Sequence, residues 1–252
     1  MSEFKRLFFK THCALDEYNV SEWRELVEAV AKEAQPRLHI RPTIRVYGRE
    51  AHQNRNVGFF RRTTPHLGPR GYRYSGQVML AQPMTDDMHA LATVLEALVG
   101  IQIDSFLIND YKDGTDCIGA HGDDEAGVHP RHGVLSVSVG ATRTLRLRSK
   151  EGEKLLDVPS KHLRALHMCN LIIGETNTFG NFQKQFTHEI PVEKKVLGPR
   201  TSITCRFFDW KEHPDVTAAA DTAGVERAPE PPREARKRAR DGESAPKGER
   251  EV

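Results

Sequence analysis

The chain has 252 residues, of which 38% are hydrophobic and 29% charged, so it can bury a sizeable core in one large domain with appendages. No apolar run approaches the roughly 18 residues of a membrane span, and the first residues lack the apolar stretch of a signal peptide. The four cysteines form no CxxC pair. We therefore expect an intracellular protein without a membrane attachment. The net charge is only +2, yet its distribution is uneven.

Two amphipathic helices are predicted, after a short opening strand at Leu7 to Phe9. The first helix begins with Ser21 as its N-cap and ends at Pro36. The second begins near Thr85 and ends at Gly100. Each carries its apolar residues on one side, so we expect both to pack on a sheet as scaffold.

An arginine-rich segment lies between the two helices. It contains one acid, Glu50, no lysine, and nine arginines: Arg37, Arg41, Arg45, Arg49, Arg55, Arg61, Arg62, Arg70 and Arg73. A charge run is often only a solvated face, but a segment almost free of acids is typical of phosphate binding. We therefore expect a nucleic-acid partner.

Beyond Gly100 the sequence changes to short apolar runs separated by turns. These runs, at 103–111, 134–140, 144–148, 154–158, 170–173, 186–190 and 201–208, favour a β-sandwich or a jelly roll. After about Lys211 the periodicity ends and a disordered, charged tail is expected. Its cluster Arg236–Arg240 fits either a nuclear or nucleic-acid signal or a solvated charge run. The expected division is 1–43, 44–210 and 211–252, with a recognition lid at 44–76.

A candidate metal site is centred on His121-Gly122-Asp123. Two residues that are two apart on an extended segment point to the same side. With a distant histidine, His188, they would complete a 2-His-1-carboxylate triad, which leaves positions open on Fe(II). Downstream, Arg200 and Arg206 lie an even number of residues apart, which puts both guanidinium groups on one face of a strand. There they can bind a dicarboxylate. The order of these residues indicates an iron and 2-oxoglutarate site.

Several separate motifs resemble the AlkB family of Fe(II)- and 2-oxoglutarate-dependent nucleic-acid dealkylases. They are the segments 71–76, 109–116, 121–125 and 136–143, which occur in the family's order within a span from about Ile44 to Phe208. The resemblance implies a mainly β, α+β fold, the double-stranded β-helix or jelly roll, with supporting N-terminal helices. It also implies Fe(II), 2-oxoglutarate and O2 as cofactor and cosubstrates.

The resemblance assigns a role to each candidate residue. It implies that His121, Asp123 and His188 bind the metal and act in catalysis. It also implies that 2-oxoglutarate is bound by Asn109, Tyr111, Arg200, Thr204 and Arg206. The expected substrate contacts are Val46, Tyr47, Gly48, Tyr72, Arg73, Tyr74 and Asp124.

Two of the substrate assignments leave alternatives open. Val46-Tyr47-Gly48 resembles a hairpin that duplex-preferring relatives insert into the DNA double helix. The alternative is that Tyr47 is an aromatic residue at a strand end that packs on the core. Asp124 either accepts a hydrogen bond from the base or supports the metal ligands. The segment 177–185 is longer than in many relatives, and Ser202 stands where some carry asparagine.

The expected function is oxidative demethylation of N-alkylated bases in DNA, by a monomer that is nuclear if the source is eukaryotic. DNA is favoured over RNA as partner, although phosphate contacts and stacking serve both. The alternatives are an RNA demethylase or hydroxylase, a protein-directed 2-oxoglutarate oxygenase, and a non-catalytic nucleic-acid-binding jelly roll.

Overall fold

The computed structural model describes residues 15–46, 49–62, 71–74, 77–123, 133–168, 171–173, 178–180, 183 and 186–207. The predicted strand at Leu7 to Phe9 and the predicted tail from residue 211 lie outside these ranges and remain predictions. Among the described helices, none has the length and apolar character needed to cross a lipid bilayer.

The first helix, α1 (Arg24–Ala34), lies between a 3-10 turn at Ser21–Trp23 and another at Gln35–Arg37. Its buried residues recur at the spacing of one helix face: Val27, Val30, Ala31 and Ala34. The second 3-10 turn contains Pro36, which ends the regular helix close to the predicted position because proline cannot donate a backbone hydrogen bond.

The prediction that Ser21 caps α1 was wrong. The backbone N–H of Ser21 instead donates to the side chain of Asn19 at 3.1 Å. Because a single 3-10 turn precedes the regular helix, Trp23 occupies the N-cap position of α1 and makes no capping bond.

The second helix, α2 (Asp86–Val99), begins and ends as predicted. The hydroxyl of Thr85 accepts a hydrogen bond from the backbone N–H of Met88 at 3.2 Å, which satisfies one of the unpaired donors of the first turn. At the other end Gly100 has a φ of +70°, a left-handed conformation that glycine adopts without strain.

The described residues form seventeen strands. They are β1 (Leu15–Asn19), β2 (Thr43–Val46), β3 (Arg49–His52), β4 (Asn56–Arg61), β5 (Gly71–Tyr74), β6 (Gln77–Leu80), β7 (Gln82–Pro83), β8 (Ser105–Tyr111), β9 (Ile118–His121), β10 (Val134–Gly140), β11 (Arg143–Ser149), β12 (Lys154–Ser160), β13 (Arg164–Met168), β14 (Leu171–Ile173), β15 (Thr178–Gly180), β16 (Phe186–Ile190) and β17 (Arg200–Arg206).

Eleven of these strands build two sheets. The large sheet has the order β1-β13-β10-β17-β8-β4-β7, and the small sheet has the order β12-β11-β16-β9. All neighbours run antiparallel except β4 and β7. The other six strands form three ribbons, β2–β3, β5–β6 and β14–β15.

From β8 onward the strand pairs are nested. β8 pairs with β17, β9 with β16, β10 with β13 and β11 with β12, so the first strand of the series meets the last. Members of one nested pair share a sheet, and successive pairs alternate between the large and the small sheet, so the closing β11–β12 hairpin joins the sheet of β9 and β16. Eight antiparallel strands in this order form a jelly roll, and the predicted fold class is confirmed.

The two faces of the large sheet bury different side chains. One face packs against α1 and α2, where Ile203 and Cys205 of β17 join helix residues such as Val27 and Leu91 in one core cluster. The other face meets the small sheet, whose Leu145 and Leu147 belong to a second cluster.

Strand alternation therefore points the even-numbered residues of β17 into the space between the sheets. These residues are Arg200, Ser202, Thr204 and Arg206, and all four are buried. A sandwich interior that contains two arginines needs acidic partners or ligands, because an unpaired buried charge is costly.

Candidate functional site

His121, Asp123 and His188 form one cluster at the end of the small sheet. His121 is the last residue of β9 and lies directly opposite His188 of β16, and their ring centroids are 4.3 Å apart. The Nε2 atoms of His121 and His188 lie 3.8 Å and 3.5 Å from the carboxylate oxygens of Asp123. The three ligand atoms all fall within 4.8 Å of one another, so the structure brings together the three residues predicted from the sequence.

The tautomer of His121 suits a metal ligand. Its Nδ1 lies 2.8 Å from the carbonyl oxygen of Gly119, and because a carbonyl only accepts, Nδ1 carries the proton. The lone pair of a neutral imidazole then sits on Nε2, the atom that faces Asp123. A backbone carbonyl that orients a histidine in this way is common around metal sites.

The protonation states of the cluster also suit a divalent cation. Burial lowers the pKa of His121 to about 3, with a further contribution from nearby His188, and burial also lowers the pKa of His188. Burial alone would raise the pKa of Asp123, but the guanidinium group of Arg206 and the two histidines hold it below its ordinary value. Two neutral imidazoles and one carboxylate are the donor set that non-haem Fe(II) prefers.

Arg206 pairs with the carboxylate of this cluster. Its Nη2 donates to Oδ1 of Asp123 at 2.7 Å, and both side chains are buried. The carboxylate is thereby oriented from the large sheet while the histidines approach from the small sheet. That Arg206 also contacts 2-oxoglutarate remains a prediction.

Arg200 has the features of an anion-binding residue. It is 2% exposed, and its Nη2 donates to the hydroxyl of Ser138 at 3.0 Å. Its Nε and Nη1 atoms have no acceptor within the described part of the chain, and the guanidinium carbon lies 5.3 Å from the centre of the Tyr111 ring. A buried guanidinium group with open donors fits a bound carboxylate, such as one end of 2-oxoglutarate.

The other predicted cosubstrate residues lie beside Arg200. Tyr111 is paired directly with Arg200 across β8 and β17, and Asn109 is paired with Ser202. Asn109 accepts a hydrogen bond from Nε of buried Arg55 at 2.7 Å. The hydroxyl of Thr204, further along the same face, lies 3.4 Å from that of Ser202.

The sequence interpretation missed three residues that support this site. Ser138 binds Arg200, Arg55 binds Asn109, and the carboxamide of Gln183 accepts a hydrogen bond from the backbone N–H of Asp123 at 3.0 Å. Ser138 alone carried a signal, since it alternates with apolar residues on β10. The other two meet their partners only through the fold.

Arg143 is a further missed residue, and it holds the loops at one end of the sandwich. It is 1% exposed, and its guanidinium group binds Glu193 at 3.0 Å and the carbonyl oxygens of Asp113, Asp116 and Pro191. It also lies 5.7 Å from the centre of the ring of Tyr111. Arg143 therefore fixes the surroundings of a predicted cosubstrate residue.

Most of the predicted substrate-binding side chains lie outside the part of the chain that the structure describes. Tyr47, Gly48 and Asp124 lie outside the described residues, and so do the side chains of Val46 and 72–74, although their backbones belong to β2 and β5. The ribbons β2–β3 and β5–β6 do form in the predicted lid. These substrate roles remain predictions.

The arginine-rich segment is less open than its composition indicates. Among its described side chains, Arg41 pairs with Asp116, Arg62 with Glu96 at 2.9 Å, and Arg37 with the carbonyl oxygen of Pro83 at 2.8 Å. Arg55 is also engaged inside the protein, whereas Arg49 of β3 is exposed. A large part of this positive charge therefore stabilises the fold itself.

Comparison with known proteins agrees with this geometry. Residues 17–207 match the model of the 2OG-Fe(II) oxygenase superfamily. The human DNA oxidative demethylase ALKBH2 is 33% identical over 141 residues, which cover 54% of this chain and 51% of that protein. The rat alpha-ketoglutarate-dependent dioxygenase alkB homolog 3 is 33% identical over 170 residues, which cover 63% and 54%.

Two further matches are more distant. The Arabidopsis thaliana DNA oxidative demethylase ALKBH2 is 29% identical over 189 residues, which cover 66% of this chain and 57% of that protein. The chain thus spans about half the length of the curated relatives it matches. A solved prolyl hydroxylase from Trichoplax adhaerens superimposes with a TM-score of 0.48. It is 12% identical, and the match covers 82% of this chain and 91% of that one.

Proposed function

Because this chain belongs to the 2OG-Fe(II) oxygenase superfamily, we propose that it removes alkyl groups oxidatively from ring nitrogens of bases in DNA. The proposal rests on one combined observation. The chain contains the cluster of His121, Asp123 and His188, and it is similar to two proteins named DNA oxidative demethylases. The AlkB resemblance of the motifs, confirmed by these relatives, supports the same reading. If the source is eukaryotic, we propose the nucleus as its location.

His121, Asp123 and His188 would hold Fe(II), and Arg200 would bind a carboxylate of 2-oxoglutarate. When they are bound together with O2, these groups supply the oxidation of the alkyl carbon, which leaves the base as an aldehyde. The residues of the chain provide binding and orientation. The hydrogen bond to Gly119 presents Nε2 of His121, and Arg206 keeps the carboxylate of Asp123 ionised and in place.

The burial of these groups serves the chemistry. Asp123, His188, Arg200 and Arg206 are each less than one-tenth exposed, so bulk water is kept from the reacting atoms. In a dry site the charged contacts are stronger than in water. A base must leave its stack to reach such a site, which makes the lid at 44–76 and its aromatic residues the expected recognition surface.

The test is mass spectrometry of oligonucleotides that carry one methylated base. Single- and double-stranded DNA and matched RNA are incubated with the protein, Fe(II), 2-oxoglutarate and ascorbate. We expect loss of the methyl group from DNA only when 2-oxoglutarate is present. Turnover of RNA alone would replace DNA by RNA as the substrate, and no turnover of any oligonucleotide would contradict the proposed function.

A further inference from the structure

Gln183 is a buried residue that touches the metal cluster from outside the predicted set. It precedes β16 and is 1% exposed. Its side-chain oxygen accepts the backbone N–H of Asp123 at 3.0 Å. It therefore fixes the main chain of a candidate metal ligand.

This contact also determines which way the carboxamide faces. A backbone N–H can only donate, so the atom opposite Asp123 must be the oxygen Oε1, and the NH2 group must be the one that faces away. That nitrogen, Nε2, is buried and has no acceptor among the residues that the structure describes. Buried donors are almost always paired, so a ligand is the natural acceptor.

The topology indicates which ligand this is. Arg200 and Tyr111, the proposed cosubstrate residues, lie on β17 and β8 of the large sheet. Gln183 precedes β16 of the small sheet, and it binds the backbone of Asp123 just after β9 of the same sheet. The open donor therefore adjoins the metal ligands from the small sheet, whereas the cosubstrate arginine belongs to the large sheet, and this favours the substrate as its partner.

We propose that Gln183 is a specificity-determining residue whose Nε2 donates a hydrogen bond to a carbonyl oxygen of the alkylated base. This inference rests on the proposed function and names the substrate class of the same site. The alkylated N3 of cytosine has the carbonyl oxygen O2 beside it, whereas the alkylated N1 of adenine has a C–H group and an amine. The donor therefore favours 3-methylcytosine over 1-methyladenine, because a flipped base is read along this edge.

The experiment compares full-length wild type with Gln183→Glu. Glutamate keeps an oxygen for the N–H of Asp123 but loses the NH2 donor. Both proteins are assayed on two single-stranded DNA oligonucleotides that differ only in carrying 3-methylcytosine or 1-methyladenine. We expect the ratio of kcat/KM for 3-methylcytosine to that for 1-methyladenine to fall about tenfold, the effect of one lost hydrogen bond.

Gln82→Glu is the matched control, because it makes the same chemical change where Gln82 binds Arg37, away from the cluster. It should leave the ratio unaltered. An equal loss on both substrates in Gln183→Glu would overturn the proposal, since Gln183 would then act only through Asp123. A rise in the KM for 2-oxoglutarate with an unaltered ratio would also overturn it.

A second measurement needs no variant and covers the case in which Gln183→Glu does not fold. Replacing O2 of 3-methylcytosine by sulfur, a weaker acceptor, should slow wild-type turnover several-fold, and an undiminished rate would overturn the assignment. Failure of the proposed function is distinct from these outcomes, because wild type would then demethylate neither oligonucleotide.

Discussion

Arg200 is almost entirely buried, yet two of its three side-chain nitrogen atoms meet no acceptor in the described part of the chain. Burial lowers the pKa of Arg200, although an arginine remains charged in a protein. Its Nη2 atom donates to the hydroxyl of Ser138, and the side chain of Tyr111 is a further hydrogen-bonding neighbour. The residue is therefore arranged to receive an anion.

We predict that Arg200→Lys raises the KM for 2-oxoglutarate, because lysine cannot form a two-pronged contact with a carboxylate. The expected loss is about 1.5–3 kcal/mol, roughly ten- to 150-fold in KM. A titration of 2-oxoglutarate against turnover measures it. Arg146→Lys is the control, since Arg146 pairs with Asp157 at 2.8 Å and both side chains are partly exposed, and equal KM values for the two variants would show that Arg200 is structural.

The lowered pKa of His121 predicts how the metal-free protein responds to acid. The folded state keeps this imidazole neutral down to about pH 3, whereas in the unfolded chain it takes up a proton below about pH 6.5. Stability should therefore fall as the pH is lowered from about 6.5 towards 3, by up to ~1.4 kcal/mol per pH unit for this one group.

Urea unfolding of metal-free wild type and His121→Gln at several pH values measures this effect. The variant should have a shallower dependence on pH within that window, because glutamine does not titrate. Its control is His89→Gln, a change at a partly exposed position on α2. The same slope in wild type and His121→Gln would contradict the account.

At the scale of elements, the end of a helix is the feature that local sequence determines best. Thr85 satisfies an N–H of α2 and also donates to Glu33 of α1. We predict that Thr85→Ala lowers the free energy of unfolding by about 1 kcal/mol or more. Urea denaturation of Thr93→Ala, an exposed threonine on the same helix whose hydroxyl bonds only to a carbonyl, should show a smaller change; equal losses would contradict the capping role.

The β2–β3 ribbon belongs to the predicted lid, and Tyr47 lies between its strands in the sequence. If Tyr47 fills the gap left by a flipped base, Tyr47→Ala should slow repair of a methylated duplex about tenfold or more, since base–aromatic stacking contributes about 1–3 kcal/mol. Repair of the same lesion in a single strand should change little. Equal losses on the two substrates, measured by mass spectrometry, would assign Tyr47 to the core.

The elements that the sequence predicted correctly have strong local signals. The end of α2 at Gly100 and the strands β10 and β16 followed from composition and periodicity. A strand was predicted from Ile44, and β2 begins at Thr43. The strands β3, β5 and β6 were not predicted, because each is only four residues long, and β9 was missed because it is short and contains glycine. The cap of α1 was misplaced because Asn19 and Ser21 are both good capping residues.

The site residues likewise divide into those with a local sequence signal and those that meet only in the folded chain. His121 and Asp123 are two residues apart and could be recognised together, and the motif around His188 identified the third member. The contact of Asp123 with Gln183 spans 60 residues and that of Arg200 with Ser138 spans 62. No local pattern predicts such pairs, because they exist only once β9, β10, β16 and β17 are folded together.

At the scale of the whole molecule, the nested strand order is what assembles the site. It places β9 and β16 side by side in one sheet and β8 and β17 side by side in the other. The two histidines of the first sheet and Arg206 of the second then meet at Asp123. Substitution of a ligand at this end of the sandwich should therefore remove activity while the core clusters remain intact.

The most direct test of the proposed function measures the amounts of succinate and of demethylated base formed in the same reaction on a methylated DNA oligonucleotide. Wild type should form the two products in equal amounts, and only when Fe(II) is present, whereas folded Asp123→Ala should form neither. Demethylation at the wild-type rate by Asp123→Ala in metal-scrubbed buffer, or demethylation by wild type without succinate, would contradict it.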